Sequence, residues 1–158
     1  MRTLAPAFLL ALLPLAACSG DDGGGLEERR EAYLADAEEI CAETNTKVEE
    51  LGTPTSIPAI PAAADEAVAI VRDTVEQITA LEPPEEDAER LQERVLDPLA
   101  EDVGVAEQYA EQIKAAAAAN DGPALLALVN ERPQTSADLA YMRDYGFSQC
   151  VAAADQRD

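Results

Sequence analysis

The chain has 158 residues, with 11 lysines and arginines against 32 aspartates and glutamates, for a formal net charge of -21. It holds three cysteines and neither histidine nor tryptophan, so there is no Ser-His-Asp triad, no imidazole general base and no His-ligated zinc. The acidic balance excludes a nucleic-acid partner, whose phosphates demand Lys and Arg. Alanine alone supplies 32 residues, aromatics make up 4% and β-branched runs are scarce. That composition favours a single all-α domain over a β or α/β one.

Residues 1–17 have the pattern of an export signal. Arg2 supplies the positive start, and the apolar stretch that follows is too short, and too interrupted by Pro6 and Pro14, to span a bilayer. Leu15-Ala16-Ala17-Cys18 then resembles the lipobox of bacterial lipoproteins. In that family the cysteine receives a diacylglyceryl group and becomes the first mature residue. The resemblance implies a lipidated Cys18 and a location on the outer face of the cytoplasmic membrane. Two acyl chains suffice for stable anchoring. An ordinary signal peptide cleaved near Ala17, with Cys18 left as a thiol, is the plainer alternative. Ser19-Gly20-Asp21-Asp22-Gly23-Gly24-Gly25 completes a flexible tether over residues 18–25, with a reach of about 15 Å.

Residues 26–158 form the folded domain, and four helical segments are expected in it. In the first, over 26–51, Tyr33, Ala37, Ile40, Thr44 and Val48 recur at three- and four-residue steps, until Gly52-Thr53-Pro54 stops it. Residues 53–61 contain three prolines and read as an extended loop. A second helix over about 62–81 turns Ile70, Val71, Thr74 and Ile78 inward. Pro83-Pro84 followed by Glu85-Glu86-Asp87 is a stop and restart, since prolines suit a first turn and acids suit the positive end of a helix dipole. The third helix runs to about residue 119, with a kink expected at Pro98. The fourth segment carries Leu125, Leu128 and Val129, breaks or bends at Pro133, and resumes through Leu139, Met142 and Tyr145. Short connections between amphipathic segments predict an antiparallel four-helix bundle.

With Cys18 committed to lipid, Cys41 and Cys150 remain, and an even pair in an exported chain reads as a disulfide. Gly146 can end the fourth helix in a left-handed conformation, with Phe147 folding back so that Cys150 returns along the bundle. Reactive or unpaired thiols are the alternatives, although no C-x-x-C motif supports redox chemistry. Three stretches, Ile40-Cys41-Ala42-Glu43-Thr44-Asn45, Ala80-Leu81-Glu82-Pro83-Pro84-Glu85-Glu86-Asp87 and Tyr145-Gly146-Phe147-Ser148-Gln149-Cys150, resemble a group of small exported helical proteins, mostly lipoproteins of actinobacteria. The resemblance implies fold and location and carries over no catalytic residue.

Carboxylates are the abundant chemical groups, densest at Glu38-Glu39 with Glu43, at Glu85-Glu86-Asp87 with Glu89, and at Glu101-Asp102. None has the spacing of a calcium loop, a di-iron bundle or a glycosidase pair, and a solvated helix face explains them. Tyr33, Tyr141 and Tyr145 are candidate binding residues, with core packing as the plainer account. No catalytic residue, metal site or cofactor is expected. The function expected is a non-enzymatic binding or interaction role in the cell envelope, toward an envelope protein or a small ligand. A small-ligand or divalent-cation carrier using the bundle core is the alternative, and a carboxylate-based hydrolase the third.

Overall fold

The computed structural model describes residues 22–155. Within them the chain is helical with no strand. Three long rods are formed by α1 (Asp22–Leu51), α2 (Ile60–Ala80) and the continuous run of α3 (Glu85–Leu91) into α4 (Asp97–Ala118). Three short helices complete the fold: α5 (Gly122–Asn130), α6 (Leu139–Tyr145) and α7 (Ser148–Asp155). The export signal and Cys18 lie outside the described residues.

α1 buries Tyr33, Ala37 and Cys41, one face at helical spacing. It begins at Asp22, so the glycines expected in the tether form its first turn. The helix ends at Gly52, whose φ of 63° is readily adopted by glycine. The loop that follows is shorter than its prolines suggest. Pro58 lies in the first turn of a 3₁₀ segment, Ile57–Ala59, and Pro61 in the first turn of α2, where a missing N–H costs nothing.

α2 returns antiparallel along α1, pairing Thr44 with Thr74 through hydroxyls 2.7 Å apart and Lys47 with Asp73 at 2.9 Å. The third rod reverses again along α2, with Arg72 reaching Glu107 and Lys114 reaching Asp65. Where a kink is expected, a π-helical turn, Gln92–Leu96, joins α3 to α4. Pro98 explains it: with no N–H, proline leaves the carbonyl four residues back, that of Arg94, without its helical donor. That carbonyl instead accepts the Asp138 N–H at 3.0 Å.

The expected fourth segment is two short helices, α5 and α6, parted by the loop that holds Pro133, and the returning tail forms a third, α7. Asp121 caps α5 by accepting the Ala124 N–H, and Tyr109 donates to the Leu128 carbonyl. After a loop containing Pro133, Asp138 caps α6 by accepting the Tyr141 N–H. α6 ends at Gly146, with φ of 116°, and the N–H groups of Gly146 and Phe147 both reach the Met142 carbonyl. Phe147 then folds into the core, 1% exposed. α7 lies against α1, where Glu38 accepts the Gln149 N–H at 2.9 Å and the Ser148 hydroxyl. Cys41 and Cys150 are joined as a disulfide, their Cα atoms 5.0 Å apart.

Candidate functional site: an apolar cleft

Splitting the fourth helix leaves part of the rods' inner surface uncovered. Between α1, α2, α4, the 131–138 loop and the short helices α6 and α7 lies a cleft of about 460 Å³, a volume suited to a small organic molecule. Its walls are mostly aliphatic: Val48 from α1, Val71, Val75 and Ile78 from α2, Leu99 and Val105 from α4. Leu139 and Met142 come from α6, and the disulfide forms part of the wall between α1 and α7. Val48, which helical periodicity places on the inner face of α1, is 52% exposed, and Val105 on α4 is 45% exposed.

Polar groups at the cleft divide into those already satisfied and those that are not. The Thr44 and Thr74 hydroxyls hold each other. Asn45 donates to the Gln149 carbonyl at 3.2 Å. Asp102 is committed to the loop, accepting from the Thr135 hydroxyl at 2.6 Å, the Ser136 N–H at 3.0 Å and the Ser136 hydroxyl at 2.7 Å. Glu49 and Arg132 also line the cleft, and neither closes an ion pair among the described residues.

The tyrosines lie elsewhere. Tyr33 packs edge-on against Phe147, Tyr145 stacks on Phe147 at 5.4 Å between ring centroids, and Tyr141 lies beside Tyr145. None of the three lines the cleft. Burial pushes the Tyr33 phenol up to about 12, with Tyr141 adding to it. The Tyr33 hydroxyl has no hydrogen-bond partner among the described residues. The Arg94 guanidinium covers the Tyr141 ring at 4.8 Å while pairing with Asp138.

Asp87 corrects the expectation of solvated carboxylates. It is 1% exposed, and its oxygens accept from Arg30 through both Nε and Nη2, from Arg90 at 2.9 Å and from the Tyr145 hydroxyl at 3.1 Å. The Arg30 hydrogen bond holds this carboxyl below the usual range. Burial opposes that shift, and Tyr145, Arg30's charge and Arg90 reinforce it. Tyr145 moves the other way, its phenol raised first by burial and then by its bond to Asp87. The cluster ties α1, α3 and α6 together.

Sequence patterning therefore found the disulfide but neither the cleft nor the Asp87 cluster. The signal available was Pro133 in the fourth segment, which lies in the non-helical stretch between α5 and α6 that walls the cleft. Among the described residues, no group of three or more Cys, Asp and Glu side chains is placed to hold a metal ion, and no helix is long and apolar enough to cross a membrane. Compared with known protein families, with curated proteins and with solved structures, the chain matches none.

Proposed function

We propose that this is a lipid-anchored cell-envelope protein whose helical domain binds a small apolar ligand and does not act as an enzyme. Residues 1–17 are its lipoprotein signal peptide, Cys18 holds it to the outer face of the cytoplasmic membrane, and it belongs with the small actinobacterial lipoproteins it resembles. In this proposal α5, α6 and α7 together serve as the fourth side of an antiparallel four-helix bundle, and the gap they leave is the binding site. The observation that carries the proposal is the cleft, where Val48 and Val105 are left about half in water although aliphatic surface gains by being covered. One carboxylate of each dense acidic cluster is engaged structurally: Glu38 holds α7, Asp87 joins three helices and Asp102 ties down a loop.

The test uses the whole chain carrying Cys18→Ala, which removes the lipidation site and with it any competing acyl chain. Titration with the uncharged fluorophore N-phenyl-1-naphthylamine should give a saturable one-to-one rise in emission and a melting temperature that climbs with ligand by mass action. Val48→Glu puts a charge on the cleft wall at a position already exposed, so the fold survives and binding is lost. Emission that fails to saturate, or that Val48→Glu leaves unchanged, refutes the binding site.

A further inference from the structure

The cleft has a charge that its composition does not explain. In a chain of net charge -21, seven of the lysines and arginines among the described residues close ion pairs with carboxylates. Arg132, exposed at the cleft, also lies among acids in excess, yet no carboxylate pairs with it among the described residues, and the neighbour that feels its charge is the Tyr109 phenol. It stands on the loop that walls the aliphatic cleft. That loop is held in place three and four residues later, where Asp102 on α4 accepts from Thr135 and Ser136, so the guanidinium is carried on an anchored segment.

Resting on the proposed binding function, we propose that the cleft takes a monocarboxylate amphiphile of the medium-chain fatty-acid class, its aliphatic tail against Val71, Val75, Ile78 and Leu99 and its carboxylate on Arg132. A guanidinium pairs with a carboxylate through two parallel N–H donors, and such charge-assisted bonds are stronger than neutral ones. The carboxylates that also line the cleft do not specify a cationic head with equal force. Asp102 already accepts three donors, and Glu49 is one acid among 32 acidic residues, so its presence at a rim follows from composition. An unpaired arginine there does not. The volume of about 460 Å³ accommodates one such chain and is too small for a two-chain lipid held whole.

The experiment compares decanoate, decan-1-ol and decylammonium, each below its micellar concentration at pH 7, as displacers of N-phenyl-1-naphthylamine from the Cys18→Ala chain. Decanoate should bind about tenfold more tightly than decan-1-ol, the effect expected of a hydrogen bond to a charged group. Arg132→Gln should bring the acid down to the alcohol and leave the alcohol unchanged, and Arg132→Lys should restore part of the difference. If acid and alcohol bind equally, or decylammonium binds most tightly, the carboxylate assignment is overturned while the binding cleft stands. If the probe itself never binds, both fall together. An acid preference that survives Arg132→Gln also overturns the assignment, because some other group then reads the head.

Discussion

Asp87 sits in the motif Pro83-Pro84-Glu85-Glu86-Asp87 beside two acids that stay in water, and its neighbours in space set it apart from them. Glu85 and Glu86 are exposed, whereas Asp87 is buried with both oxygens occupied by Arg30, Arg90 and Tyr145. Its ionised form is favoured in the folded chain. Its contribution to stability is therefore complete above the unfolded carboxylate value near 4 and is lost as pH falls through the depressed folded value. Because the other acids repel one another at neutral pH, mild acidification relieves strain across the whole surface, and the part due to Asp87 is isolated by difference. Asp87→Asn should lower the unfolding free energy at pH 7 by about 3 kcal/mol, the lower end for breaking a buried pair because both arginines remain partly in water. Urea unfolding of the two proteins from pH 7 to pH 2 should give curves that converge at the acid end. Curves that stay parallel throughout would show that Asp87 is no more than a surface acid.

At the scale of elements, the loop between α5 and α6 carries the cleft's wall and its arginine, and the Asp102 carboxylate takes several of its hydrogen bonds. Asp102 accepts from Thr135 and Ser136, the Ser136 hydroxyl also lies 3.2 Å from the Pro98 carbonyl, and the Arg94 carbonyl freed by Pro98 takes the Asp138 N–H. Proline in one helix thus creates the acceptor that starts another. Asp102→Ala should speed amide exchange across 131–137 while leaving the cores of α1 and α2 protected, at a cost of about 1–2 kcal/mol in overall stability. Exchange unchanged in that loop would mean the tether does not hold it. Much at this scale was legible: the 3.6-residue recurrence of Tyr33, Ala37 and Ile40 gave α1, and the Pro83-Pro84 junction gave the start of α3. The start of α1 was not. Three glycines read as a tether because each is a poor helix former, yet the backbone of α1 runs through them from Asp22. The cleft was not legible either. Periodicity shows which residues share a face, as Val48 does with Tyr33, but it does not show whether another element covers that face.

In the whole molecule, the covalent link from Cys41 to Cys150 spans a sequence separation of 109 and joins the first long helix to the last short one. The pairing was readable from the even count of cysteines left in an exported chain, and the separation makes the bond consequential. Cross-linking a loop of this length removes conformational freedom from the unfolded chain by up to about 4.7 kcal/mol in the loop-entropy account. The folded side has little to spare, since the interior of α1 and α4 leans on Ala37, Ala110 and Ala117, and alanine buries little apolar surface. α7 has eight residues and cannot persist as an isolated helix in water. It is held by the disulfide, the Glu38 cap and the burial of Phe147 and Val151. Reduction should lower the melting temperature on the order of 10 °C, and Cys41→Ser with Cys150→Ser should reproduce that fall without reductant. Because both cysteines line the cleft, the reduced protein should also bind N-phenyl-1-naphthylamine less tightly at a temperature where it is still folded. A melting temperature indifferent to reductant would mean that noncovalent packing alone holds α7. Loss of stability with probe affinity unchanged would confine the bridge to the fold and remove it from the binding site.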